Sequence, residues 1–297
     1  EAVYYIKTSA DKGNVDSMLQ YGIMLLNGNG VQINKQDAEK YLKNAADLGN
    51  DEAMFQYGKM ILDGNCHKSN KQIGIRYIKM SAKKGNQNSM NFYALLNYNG
   101  ILIGNEGFPI NKTKAAKYFK KAAIKGNQNA MVYYGQILLN GIGLPINKKE
   151  AIKFFKMAAN KGNVYALNYL GEMYYKGDYV QINKEKAAFY FKKSADLGNE
   201  NSFLFYNSML KNGDGIKTNK KEALKNYKLL ADKGNIRSMI LYSELLIDIG
   251  NEDDKIEALR YIKMAADKGS VDSMYFYGDF LLNISDENKT EALHYLK

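Results

Sequence analysis

The chain has 297 residues, 45% of them hydrophobic and 25% charged, with a formal net charge of +11. That content excludes a disordered chain and is enough for a large buried core. A single cysteine, Cys66, excludes an internal disulfide framework and fits a reducing compartment, and no apolar run approaches the ~20 residues that a membrane-spanning helix needs.

In chain order, residues 1–13 read as a trailing helix opening directly on Glu1. Seven helical hairpins follow at 14–49, 50–85, 86–126, 127–162, 163–198, 199–234 and 235–269, and a truncated hairpin at 270–297 stops at Lys297. The expectation is one continuous array cut from a longer protein at both ends, so missing targeting signals carry little meaning. The divisions follow turn glycines at Gly13, Gly49, Gly85, Gly126, Gly162, Gly198, Gly234 and Gly269, spaced 36, 36, 41, 36, 36, 36 and 35 residues apart. Self-similarity at this period marks an all-α solenoid of stacked helix-turn-helix units.

The hairpin 127–162 shows the local logic. Met131, Tyr134, Gly135, Leu138 and Leu139 recur at three- and four-residue steps, on one face of a first helix that Gly141 and Gly143 end. Asn147 is placed to cap a second helix, with Glu150 completing a capping box and Ile146 as a staple. Ala151, Phe154, Phe155, Ala158 and Ala159 form the buried stripe of that helix. Gly162 supplies a left-handed ending, and Asn163 caps the next helix.

The same register runs along the chain. Nine residues after each turn glycine stands a small or polar residue: Gly22, Gly58, Ala94, Gly135, Gly171, Asn207, Ser243 or Gly278. Its size allows the paired helix to approach closely. Three before each turn glycine is an alanine: Ala10, Ala46, Ala82, Ala123, Ala159, Ala195, Ala231 or Ala266. Second-helix caps are expected at Asn34, Asn70, Asn111, Asn147, Asn183, Asn219, Asp254 and Asn288, with an acid three later at Asp37, Glu150, Glu222, Glu257 and Glu291. The loop before the cap is longest at Ile101 to Ile110 and shortest at Glu252-Asp253-Asp254.

No catalytic, cofactor or metal residue is expected. The only histidines, His67 and His294, lack a serine, cysteine and carboxylate set in register. Cys66-His67 would need two further ligands to hold zinc. Gly28-Asn29-Gly30 and Gly213-Asp214-Gly215 lack a preceding strand and read as helix endings, not phosphate cradles. Asn111-Lys112-Thr113 and Asn288-Lys289-Thr290 match a glycosylation acceptor, but both asparagines fall in the cap register.

Lysine stands six residues before every turn glycine. At Lys7, Lys43, Lys192, Lys228 and Lys263 an aspartate follows four later, in reach for an exposed pair. Lys79, Lys120 and Lys156 instead face Lys83, Ile124 and Asn160. Residues 50–162 hold 18 basic and 5 acidic side chains, a net of +13 that leaves −2 for the rest of the chain. Lys79, Lys83, Lys120, Lys121 and Lys156 are therefore a candidate basic patch. Only three arginines, Arg76, Arg237 and Arg260, stand among the 42 basic residues, which disfavours nucleic acid as partner.

Taken together, Ala-Met-x-x-Tyr-Gly-x-x-Leu-x-x-Gly, a Gly-rich loop and Ala-x-x-Tyr/Phe-x-Lys-x-Ala-Ala-x-x-Gly resemble the Sel-1-like repeat, a relative of the tetratricopeptide repeat. Ala94, Asn207 and Ser243 depart from the glycine position. The resemblance implies a right-handed α-solenoid whose first helices line a concave face, acting as a non-catalytic adaptor or scaffold for a protein or peptide. It implies a cytoplasmic protein, or one of the endoplasmic reticulum lumen as for some members. Some secreted members bridge each hairpin with a cysteine pair, which one cysteine cannot do. By the register of related tetratricopeptide hairpins, the partner-facing residues would be Asn129, Val132 and Gln136; Tyr165, Asn168 and Glu172; Asn201, Leu204 and Ser208; Arg237, Ile240 and Glu244. Val132, Leu204 and Ile240 would form an exposed apolar file. Two alternatives stand beside the adaptor. One is the regulatory segment of a larger enzyme such as a kinase, none of whose motifs is in the chain. The other is an electrostatic tether through the basic patch to an acidic partner.

Overall fold

The computed structural model describes residues 1–66, 70–100, 102–103, 106–284 and 289–296. His67 and the cap expected at Asn288 lie outside the described residues. The chain divides into two compact units, residues 1–166 and 167–297.

The first unit runs α1 (Ala2–Asp11), α2 (Val15–Asn27), α3 (Lys35–Asp47), α4 (Asp51–Leu62), α5 (Lys71–Lys84), α6 (Gln87–Asn99), α7 (Lys112–Ile124), α8 (Gln128–Asn140) and α9 (Lys148–Asn160). From α1 to α9 each helix packs on its neighbours in the chain. Between α6 and α7 the longest loop folds on itself as β1 (Leu102–Ile103) and β2 (Glu106–Gly107), antiparallel, with Leu102 opposite Gly107 and Ile103 opposite Glu106. The second unit holds most of α10 (Val164–Lys176), then α11 (Lys184–Asp196), α12 (Glu200–Asn212), α13 (Lys220–Asp232), α14 (Ile236–Ile249), α15 (Glu252–Asp267), α16 (Val271–Ile284) and α17 (Lys289–Leu296).

Each hairpin is closed by a small residue under a large one. A Cβ on Gly135 would stand 2.9 Å from the fully buried Phe155 ring, and one on Gly58 would stand 2.7 Å from the Gly74 carbonyl oxygen. At two of the three positions without glycine, hydrogen bonds join the helices. Asn207 Nδ2 donates to the Phe203 carbonyl at 2.7 Å while its Oδ1 accepts from Asn226 at 2.7 Å. Ser243 Oγ lies 2.8 Å from the Met239 carbonyl and 2.9 Å from that of Ala258. The tyrosine before the small residue meets an aromatic of the second helix edge-on, as in Tyr57–Tyr77 and Tyr134–Phe154, both with centroids 4.9 Å apart. Seven of the eight register alanines are buried, and Ala195 is half-buried.

All eight turn glycines have positive φ, between 82° and 107°, where an L side chain would be strained. The second-helix caps form at Asn34, Asn70, Asn111, Asn147, Asn183 and Asn219. Two details differ from expectation. Asn147 and Glu150 do not close a full capping box, because the Asn147 backbone N–H donates to the Leu138 carbonyl of the first helix at 2.9 Å. Glu150 instead accepts from the Asn147 side-chain amide at 3.2 Å. In the shortened loop the cap is Asn251, not Asp254, which sits at the third helical position and completes the box from there. The acids of that segment thereby fall in the first turn, where the helix dipole favours them.

Candidate protein-docking surfaces

The first-helix register separates into structural and exposed members. Asn129 is exposed, and its Oδ1 accepts from the cap Asn163 at 3.2 Å. Equivalent links join Asn50 to Asp16 at 3.2 Å, Asn86 to Glu52 at 2.9 Å and Asn127 to Asn88 at 3.1 Å. This position therefore ties one hairpin to the cap of the next. Asn168 donates to Glu172 and accepts from Ser202, each at 2.7 Å. Gln136, Asn168, Glu172 and Ser208 are half-buried, whereas Asn201, Arg237 and Glu244 are exposed and Tyr165 is 65% exposed.

The expected file of exposed apolar anchors is not there. Val132 and Leu204 are only 7% and 6% exposed, and Ile240 is packed against the core of the second unit. Leu204 belongs to the same core cluster as Met239 and Tyr242 of the following hairpin. Stacking of one hairpin on the next buries this position, so its apolar character serves packing.

On the second helices, Lys79, Lys83, Lys120, Lys121 and Lys156 are exposed. Lys120 is not without an acid: it pairs with Glu150 of the next hairpin at 3.2 Å, and that hydrogen bond raises its pKa. Of the expected pairs four residues apart, Lys43–Asp47 forms at 2.7 Å and Lys192–Asp196 at 3.3 Å. Lys228 and Lys263 reach forward instead, to Glu257 at 2.6 Å and Glu291 at 2.8 Å. Their aspartates Asp232 and Asp267 accept from Tyr261 and Tyr295, as Asp11 accepts from Tyr41 and Asp47 from Tyr77. Burial, then the bond to Asp47, pushes the Tyr77 hydroxyl up to about 12. The signal for this tyrosine–aspartate ladder is present in the sequence, as a tyrosine eight residues before one turn glycine and an aspartate two before the preceding one.

Two grooves flank the start of α7. One, of about 400 Å³, is lined by Arg76, Lys79, Tyr93, Asn97, Ile110 and Lys114 among others. The second, of about 570 Å³, is lined by Asn111, Lys114, Lys117, Lys120, Tyr134 and Leu144 among others. Cys66 is buried, and burial, followed by the charge of Glu39, pushes its thiol up to about 12, away from the reactive thiolate. Among the described residues no group of three His, Cys, Asp or Glu side chains is arranged to hold a metal ion.

The Sel1 repeat model matches residues 15–50, 51–86, 87–127, 128–163, 164–199, 204–235, 248–270 and 271–297. The chain belongs to the Sel1 repeat family. Its all-α solenoid is that of Sel1 repeats, which are generally protein-interaction scaffolds and typically non-catalytic. The fold is similar to the crystal structure of c5321, a protective antigen of uropathogenic Escherichia coli with an SLR fold, at a TM-score of 0.86 and 22% identity over 99% of this chain. The chain spans 62% of that protein's length. It is also similar to a Sel1 repeat protein from Oxalobacter formigenes, at a TM-score of 0.72 and 20% identity over 95% of this chain and 80% of the other. No curated protein matches the sequence. No helix among the described residues is long and apolar enough to cross a membrane.

Proposed function

We propose that this Sel1 repeat chain is a non-catalytic adaptor that docks a protein or peptide segment on the wall formed by its first helices. The observation that supports this is the division of labour within each hairpin. Met131, Tyr134 and Gly135 are buried and their counterparts buried or half-buried, whereas the wall positions Asn201, Arg237 and Glu244 of the second unit are exposed and differ in charge, size and hydrogen-bonding capacity. A wall that changes chemistry from hairpin to hairpin over a constant core can read a specific ligand. Polar and charged contacts replace the apolar file.

Affinity capture with the full chain tests this. Arg237→Glu combined with Glu244→Arg is expected to abolish capture of the principal partner while circular dichroism stays unchanged. Lys83→Glu with Lys121→Glu is expected to leave it intact. Capture that survives the first pair and is lost with the second would place docking on the second-helix face.

A further inference from the structure

The two grooves beside α7 share Asn111 and Lys114 and together carry Arg76, Lys79, Lys114, Lys117 and Lys120. Among the described residues the one ion pair made by these five is Lys120 with Glu150. Lys114 stands twelve residues before its turn glycine, where five other second helices carry Asp37, Glu150, Glu222, Glu257 or Glu291 and two carry Ile73 or Lys186. At that place Glu150, Glu257 and Glu291 each neutralise the lysine of the preceding hairpin. Lys114 does the reverse and adds a cation beside Lys79. Four of these cations have no carboxylate partner among the described residues, and gathered round two recesses they give a positive field that an acidic ligand would complement.

We propose that these grooves take an acidic, extended protein segment, its carboxylates meeting Arg76, Lys79, Lys114 and Lys117 and its aliphatic side chains resting on the apolar floor. That floor includes the accessible side chains of Ile110 and Leu144. A single-stranded nucleic acid fits less well. Tyr93 and Tyr134, the tyrosines of the lining, are 1% and 2% exposed and offer no ring face for base stacking, and one arginine among lysines gives little bidentate phosphate recognition. A bilayer surface is flat, whereas these cations line recesses. The cations lie on the second helices α5 and α7, and none of the wall positions Asn129, Val132 and Gln136 lines either groove, so either proposal can fail alone.

The test is fluorescence anisotropy of a fluorescein-labelled, Glu-rich peptide with interspersed leucines, titrated with the full chain at low salt. Saturable binding is expected, weakening steeply as salt rises. Lys79→Glu with Lys114→Glu is expected to weaken it about tenfold or more, while Lys225→Glu with Lys233→Glu, an equal change of charge outside the grooves, shifts it by about twofold at most. Lys79→Ala with Lys114→Ala gives the same ranking should the reversed pair fail to fold by circular dichroism. The proposal is overturned by absence of saturable binding, by equal losses from both pairs, or by an oligouridine probe that binds more tightly than the peptide and is lost in the same variants.

Discussion

Lys79 and Lys228 occupy the same register, six residues before a turn glycine, and meet opposite surroundings. Lys228 Nζ lies 2.6 Å from Glu257 of the next hairpin, whereas Lys79 lines a groove with Lys114 at the equivalent place. Both lysines stand on helices whose buried faces are built alike, with Ile78 and Tyr227 fully buried one residue from each. An exposed ion pair is worth only about 0.2–1 kcal/mol, against several kcal/mol for a buried aromatic or aliphatic side chain. The fold therefore constrains the inner face tightly and leaves the outer charges free to diverge.

Five substitutions sharpen this contrast. Leu204→Asp places an unpaired charge in the core and is expected to cost about 3–5 kcal/mol, whereas Arg237→Glu, one hairpin on but exposed, should stay within about 0.5 kcal/mol. Urea unfolding of the two variants measures the difference, and equal costs would mean that the burial of Leu204 is wrong. Asn147→Ala removes the acceptor for the Glu150 N–H, a 3.0 Å bond, and is expected to lower stability by about 0.5–2 kcal/mol. An unchanged melting curve would tell against the cap.

Tyr77→Phe deletes the 2.5 Å bond to Asp47 at about 0.5–1.5 kcal/mol and carries a pH signature. The hydroxyl titrates at about 12 in the fold against an ordinary value of 10.0, so its contribution is complete below pH 10.0 and is lost as pH rises toward about 12. Melting temperatures across that window should fall less steeply in the variant; parallel curves would remove the ladder from the stability of the fold. Lys228→Ala is expected to cost a few tenths of a kcal/mol, up to about 1, since both partners are more than 30% exposed. A cost that does not shrink in high salt would mean packing, not charge, holds the pair.

The turn glycines, the asparagine caps and the small-over-large closures were legible because each is a local requirement repeated at a fixed interval. Asp254 was misjudged as a cap because the loop before it is short enough for the helix to begin early, which moves the cap to Asn251. Val132 and Leu204 depart from the expected exposure because the array buries both, Leu204 in a core that also holds Met239 and Tyr242 of the next hairpin. The link of Lys120 to Glu150 and of Tyr77 to Asp47 likewise spans 30 residues, beyond the reach of a helix-face argument. The β1–β2 pair uses the extra residues of the longest loop, whose length was evident though its folding was not.

Photo-crosslinking tests docking on the first-helix wall most directly, with a benzophenone side chain at Arg237 on α14 compared with one at Lys225 on α13, both exposed. A covalent adduct with the captured partner from position 237 and none from 225 is expected. An adduct from 225 with none from 237 would contradict it.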